Sequence, residues 1–458
     1  MTNEPVLGID FGTTYSSMAW FNPQTGRAEV LRNAEGEEKT PSVVYYGDKE
    51  VVVGKVAESY VEDPQACKRV LRAVKRYLAK TFRYAVGARQ VRPVEAAAEV
   101  LRKLKRDAEE GHFRRAVDRV VLTHPAVFDE VEKQCLREAA QLAGFAYVEL
   151  LEEPVAAALA YLAAGVGPVE RGILVFDLGG GTFDLTLVGP DASRAGFRVA
   201  LPPEGLRIGG EDFDREMYND FDKFVRENFG ASLGEDGLDL AFLKRCQKYK
   251  ENLSVVEEPA APLGWFWSER QKWISRTITR RDFERLIDVK YVAPMMARAR
   301  QLLRKANEHG LEVKHVLLIG GSSRIPLIQR RLKEELQAEP LVWEQRDIAV
   351  ALGAAIYGAR QDQKTNATNS SGIREHRLDA KGPSLGELVK RARDRDVIII
   401  PAGDWYLPQG VVIDKPLVLR GEGAARSRLW SEAEEYVLCF RGTGPWRLEG
   451  LTVEHVGG

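Results

Sequence analysis

The chain has 458 residues, room for two or three domains, and its 44% hydrophobic and 29% charged residues are the balance of a folded protein rather than a disordered one. Sixty-six Lys and Arg against sixty-seven Asp and Glu leave a formal charge of -1, which excludes a global basic field for nucleic acid and an acidic tail. Four scattered cysteines without a CxxC pair imply neither a zinc site nor a disulfide framework.

The N-terminus runs directly into a strand-like VLGIDFG, with no basic segment and apolar core of a signal peptide. No apolar run reaches the roughly 18–20 residues that span a bilayer. With free thiols, this reads as a cytoplasmic protein with no membrane or nucleic-acid partner. Short β-branched runs predict strands at Val6–Ile9, Val51–Val53, Val120–Leu122, Ile173–Phe176 and Val316–Ile319. Helical spacing marks Glu130–Leu142. Pro154 opens a second helix that Gly165 should stop. This alternation predicts an α/β domain over residues 1–360.

The polar stretch QDQKTNATNSSGIREHR predicts a flexible linker over residues 361–377. Residues 378–458 have another texture. LGELVKRAR suits a short amphipathic helix, and VIIIPAG, PLVLRGEG, YVLCFRG and WRLEGLTVEHV recur at about 20 residues, as in stacked strand coils. Such a solenoid would end open after two or three coils, so the reading expects the chain to continue or its last coil to be capped.

The most informative pattern is duplicated. GIDFGTTYSSMAW and VFDLGGGTFDLTLV both read as apolar strand, Asp, glycine turn, Thr, apolar strand. That is a hairpin with a bare backbone turn, unlike the strand–loop–helix of a P-loop, and no GxxxxGK[ST] occurs. Polyphosphate needs several N–H groups converging on its oxygens, and Gly12 and Gly179, Gly180 and Gly181 permit that approach. The hydroxyls of Thr13, Thr14 and Thr182 add donors. Asp10 and Asp177 would repel phosphate unless a hard cation lay between, which points to Mg²⁺ held through its water shell. A third cluster, VLLIGGSSRIPLIQRRL, places Gly320 and Gly321 where a flat ligand could approach and Arg324 where it could stack.

GIDFGTTYS, KTPSVV, AVKRYLAK, LTHPAVF, LLEEPVAAALAYL, VFDLGGGTFDLTLV, IGGEDFD, LIGGSSRIPLIQRRL and DIAVALGAA together resemble the nucleotide-binding domain of the seventy-kilodalton heat-shock protein family, in the family's order, across residues 5–360. The resemblance implies an actin-like ATPase fold of two ribonuclease H-like lobes, with ATP or ADP, Mg²⁺ and often K⁺ in the cleft. It implies that Asp10, Gly12, Thr13, Thr14 and Tyr15 form the first phosphate turn and that Lys75 meets the terminal phosphate and the attacking water. It implies that Glu153 and Asp177 arrange the water and metal, and that Gly179 to Thr182, followed by Asp184, form the second turn. Gly209 and Gly210 match the glycine pair before EDFD, whose Glu211 falls in the same nucleotide-binding set; Lys250, Ser254, Gly320, Gly321, Ser322, Arg324 and Asp347 match adenosine contacts. Slow ATP hydrolysis is the activity implied.

Departures concern base and output. Gln247 stands where the family has Glu, and Glu251 where some members stack a basic residue on adenine. AVGARQVRPVEAAAEVL is short, which predicts a trimmed outer subdomain. Glu149 reverses the charge of an Arg on which J-domain partners depend, and the family's acidic, leucine-rich linker is missing, which argues against J-domain stimulation. The peptide-binding β-sandwich is absent too. Residues 378–458 instead resemble the start of a right-handed parallel β-helix of the pectate-lyase-like type, with no catalytic residue carried over. Three functions stay open: an ATPase driving a β-helix module, a nucleotide-binding scaffold with negligible turnover, and a carbohydrate-binding or carbohydrate-active β-helix under nucleotide control.

Overall fold

The computed structural model describes residues 4–455 apart from 64, 166–171, 192–195, 235–237, 312, 314, 337–338, 342, 371–374, 380–381, 395, 423–426, 433–436 and 441–446. Parts of the YVLCFRG run, of the 361–377 segment and of the terminal VEHVGG lie outside the described residues. The chain divides into two units, residues 1–360 and 361–458.

The first unit is a mixed α/β domain of two lobes, each built on a sheet of the same topology. In the first lobe Val6–Asp10 pairs antiparallel with Tyr15–Asn22, which pairs with Arg27–Leu31; on its other side Val6–Asp10 runs parallel to Arg119–His124, followed by Tyr147–Glu152. The second lobe repeats this order with Ile173–Leu178, Phe183–Asp191 and Gly196–Val199, then His315–Ile319 and Glu339–Leu341 in parallel. Each sheet therefore starts with the hairpin that carries one glycine turn. The predicted strands all lie within observed ones, and Glu130–Leu142 is helical from end to end, capped by the Asp129 carboxylate accepting from the Glu132 N–H. Gly165 sits at φ 66° just past the helix Glu153–Ala163, which a left-handed terminator requires.

Two helices, Glu153–Ala163 and Ala349–Ser370, cross between the sheets. Their alanine-rich faces pack with Ala19 and Val121 of one sheet and with Ile173, Val175, Leu317 and Ile319 of the other, forming a core common to both lobes. A Cβ added at Gly353 would lie 1.7 Å from the carbonyl oxygen of Ala156, so the helices touch backbone to backbone. The stretch read as a shortened outer subdomain forms a small hairpin, Tyr84–Val86 with Arg89–Val91, followed by the helix Pro93–Ala108. Of the three tryptophans near residue 270, Trp265 is buried in the second lobe and Trp267 packs against that core, while Trp273 is 60% exposed under the guanidinium of Arg245.

The second unit begins earlier than the sequence predicts, and the linker reading is corrected in part. Residues 361–370 continue the helix Ala349–Ser370, because no proline or glycine interrupts them before Gly372. Glu375–Arg377 is already a strand, paired in parallel with Val397–Ile400. Its three polar side chains hide it from any hydrophobic pattern. The strands of this unit form three parallel sheets: Glu375–Arg377, Val397–Ile400, Val418–Gly421 and Arg447–Glu449 in one; Gly403–Tyr406, Ser427–Ser431 and Thr452–His455 in another; Val411–Ile413 and Leu438–Phe440 in the third. Register joins Val397 to Val418 and Val418 to Arg447, so the first turn keeps the spacing read from the sequence and the second takes more residues. The helix Leu385–Arg391, with a Ser384–Glu387 capping box, buries Leu385, Leu388 and Val389 among the strand side chains Ile398, Ile400, Ile413 and Leu419.

Candidate nucleotide site

The two glycine turns face each other across the cleft of the first unit. The first is braced from outside: the Gly12 N–H donates to Ser16 Oγ at 3.2 Å, the Ser42 hydroxyl donates to the Gly12 carbonyl at 2.8 Å, and the Ser42 N–H donates to the Thr14 carbonyl at 2.9 Å. The second is tied to the helix Gly210–Phe229, whose Gly210 and Glu211 N–H groups donate to the carbonyls of Gly179 and Gly180 at 2.9 and 2.8 Å. A Cβ at Gly180 would fall 2.0 Å from Thr14 Oγ1, and one at Gly181 2.6 Å from Thr13 Oγ1. Only glycine lets the turns approach this closely. Gly320 (φ 78°) closes the third side, where an added Cβ would fall 2.4 Å from the Leu178 carbonyl oxygen and 2.8 Å from Asp177 Oδ1.

Between the turns lies a cavity of about 700 Å³. Around it are Asp10, Gly12, Thr13, Thr14, Tyr15, Lys75, Glu153, Asp177, Gly179, Gly180 and Thr182, and further along Gly210, Glu211, Lys250, Ser254, Gly320, Gly321, Ser322, Arg324 and Asp347. Gly181, Gly209 and Asp184 stand behind this wall: Gly209 backs onto Gly180, and Asp184 pairs across the hairpin with Asp177. Residues drawn from sites over 300 positions apart are thus brought to one place.

At the deep end Lys75 donates to Glu153 Oε1 at 2.6 Å, both side chains buried. Lys75 is held there by a tight turn that starts at Ala73 in the left-handed region (φ 54°), and Glu153 by the start of its helix, ahead of Pro154. Burial pushes Asp10 up to about 7, and the Glu153 carboxylate adds to this while Lys75 opposes it. Asp184 rises to about 7 by burial and then Glu153. Asp177 rises well above the carboxylate range by burial, then Glu153, Asp184 and Asp10. Burial alone would lower Lys75, but Glu153, Asp10 and Asp177 hold it above its usual value. Four carboxylates around one ammonium form a pocket short of positive charge, which fits a bound cation. Among the described residues no three acidic, His or Cys side chains converge closely enough to ligate a metal directly, so the donor set suits a cation reached through water.

The acid cluster has a measurable consequence. Asp10 and Asp184 keep their protons in the folded chain to about pH 7, whereas the ordinary value is 3.8. Between these values the folded state binds more protons, so the stability contributed by these groups falls as pH rises from about 4 to about 7 and levels off above. We expect the melting temperature of Asp184→Asn, without nucleotide, to fall less steeply from pH 5 to pH 7 than that of the unaltered chain. Equal slopes would rule this account out.

At the shallow end Asp347 accepts from Arg324 Nη2 at 2.9 Å and from Lys39 Nζ at 3.3 Å. Lys39 comes from the first lobe and Asp347 from the second, so this pair straps the cleft. Two more straps cross it: Arg72 Nη2 donates to Gln247 Oε1 at 3.0 Å, and Arg76 pairs with Asp212 at 3.2 Å. Lys250 is engaged by the Gly210 carbonyl and Asp214, each at 2.9 Å, and the Ser254 hydroxyl donates back to the Lys250 carbonyl. Glu251 accepts from Gln247 at 3.1 Å. The sequence reading missed the roles of Lys39, Arg72, Arg76 and Asp214. Lys39, Arg76 and Asp214 had a signal, since they lie in KTPSVV, AVKRYLAK and IGGEDFD, whereas Arg72 lies in none of the quoted motifs.

Comparison with known proteins bears on the same residues. The profile of the family described as Hsp70 protein matches residues 6–367. The chain is similar to the chaperone protein DnaK of Thermotoga petrophila, Thermotoga maritima and Thermotoga neapolitana, each 33% identical over 362 residues, which is 78% of this chain and 59% of the relative. It therefore spans about three fifths of the length of the curated relatives it matches. No described helix is long and apolar enough to cross a membrane. With a profile match across most of its length, two lobes of repeated topology and opposed glycine turns, the chain belongs to the Hsp70 family.

Proposed function

We propose that residues 1–360 bind ATP with Mg²⁺ between the lobes and hydrolyse it slowly to ADP and phosphate, and that lobe closure on the nucleotide is the state passed to the C-terminal unit. The convergence of two bare-backbone turns on one cavity, with a buried lysine at its deep end, carries this reading. The turns grip the phosphates through N–H groups and the hydroxyls of Thr13, Thr14 and Thr182. Asp10 and Asp177 would hold Mg²⁺ through its water, and the metal would neutralise charge between the phosphates and these acids. Glu153 orients the attacking water, and Lys75 stabilises charge on the terminal phosphoryl as the bond to the β-phosphate bridge breaks. Lys250, Ser254, Gly320 to Ser322, Arg324 and Asp347 would hold the adenosine.

Calorimetric titration with ADP, with and without Mg²⁺, together with phosphate release from ATP, tests this. Magnesium-dependent binding with turnover abolished in Glu153→Ala supports it; binding without release leaves a scaffold; no binding ends the proposal.

The base end should bind weakly for its family, because Glu251 offers a carboxylate where a cation would stack. A cation over an aromatic face is worth about 0.5–2 kcal/mol. Glu251→Arg is therefore expected to tighten ADP binding by roughly fivefold in the same titration, and an unchanged or weaker affinity would contradict this placement of the base.

The C-terminal unit fits a parallel β-helix module that follows the residues matched to the relatives, supported by the parallel sheets of its described residues. Glu149, on the strand Tyr147–Glu152, argues against J-domain stimulation of turnover.

A further inference from the structure

Behind the nucleotide cavity lies a second one of about 600 Å³. The two share Thr13, Lys75 and Thr182, which meet the phosphates in the proposed function, together with Glu211 and Asp214. Its farther wall is basic, with Arg72, Arg76, Lys80, Arg207 and Arg215 against one further acid, Asp212. Arg76 is engaged by Asp212 and Glu211 and Arg207 by Glu132, whereas Arg72 donates to the neutral amide of Gln247. The stem of Arg76 lies against the second glycine turn, since a Cβ at Gly181 would meet its Cγ at 2.9 Å. The second cavity thus reaches the phosphate turn from the side opposite the base.

We propose that this cavity is a transient site for inorganic phosphate, through which the cleaved phosphate leaves while ADP still fills the first cavity. The inference rests on the hydrolysis proposed above. Cleavage strands a multiply charged anion beside Lys75, and bound ADP closes the way past Arg324. The other way opens into the second cavity, where Arg72, Arg76, Lys80, Arg207 and Arg215 outnumber Glu211, Asp212 and Asp214. A cleft in which one sign of charge predominates concentrates the opposite ion, an effect that reaches roughly 10–10³-fold in association rate where the lining is of one sign. No covalent step is involved: the phosphate moves from one set of donors to another.

The test uses the full chain carrying Lys80→Gln and Arg215→Gln, two exposed positions outside the nucleotide cavity. In a single turnover, cleavage is read by acid quench and phosphate release by a fluorescent phosphate-binding reporter. Cleavage should keep its rate while release slows about tenfold, within the range for electrostatic focusing. Leu238→Trp, which narrows the same cavity without changing charge, should slow release in the same direction. Release that keeps pace with cleavage in both variants overturns the proposal. Titration of the nucleotide-free chain with inorganic phosphate reads the site without hydrolysis: affinity weakened about tenfold by the double substitution supports the site, and equal affinity overturns it. Absence of cleavage in the unaltered chain would instead overturn the hydrolysis reading, leaving this titration to decide the anion site.

Discussion

Replacing Lys75 by alanine is expected to lower ATP turnover by roughly 10²–10³-fold, the range found when one preorganised donor to a developing oxyanion is removed. Binding of ADP should persist, because the turns, Lys250 and Arg324 remain. The substitution also strands Glu153 as a buried, unpaired carboxylate, and breaking a buried ion pair costs about 3–5 kcal/mol of stability. The two effects separate cleanly. Lys75→Ala with Glu153→Ala removes the stranded charge and should recover much of the melting temperature without recovering turnover. A Lys75→Ala chain that is folded, binds ADP and still hydrolyses ATP within threefold of the original would remove Lys75 from the mechanism.

Gly353→Ala should produce a large stability loss, since its added Cβ makes the shortest contact of any among the described glycines. Its Cβ would lie 1.7 Å from the Ala156 carbonyl oxygen and 2.3 Å from the carbonyl carbon, so the crossing helices must part. Forcing extra volume into a packed core costs about 1–3 kcal/mol. Exchanging glycine for alanine inside a helix returns up to about 1 kcal/mol. We expect net destabilisation of about 2 kcal/mol, seen as a lower melting temperature, with weaker ADP binding because both lobes hang on that crossing. A melting temperature at or above the original would mean that the helices do not touch as described.

The parts of the site that were legible in the sequence are those set by local chemistry. An Asp–glycine–Thr turn between apolar strands has to be a hairpin with a bare tip, and both hairpins formed where the pattern placed them. The straps Lys39–Asp347, Arg72–Gln247 and Arg76–Asp212 were not legible. Each joins residues far apart in the chain, and single polar side chains at a cleft, half-buried or, like Gln247, buried, carry no periodicity. The 361–377 segment misled for a related reason: polar residues say that a stretch faces water, not whether its backbone is coiled, helical or extended. Glu375–Arg377 earns its strand solely by pairing with the apolar Val397–Ile400.

The repeated sheet order has a thermodynamic consequence. Each lobe supplies half a grip, and neither half is a receptor by itself, so ligand affinity reports the angle between the lobes. That coupling runs both ways by the same factor. A molecule that wedges the straps apart must loosen the ligand as much as the ligand resists the wedge, and the duplicated architecture thereby works as a balance whose two pans are occupancy and opening.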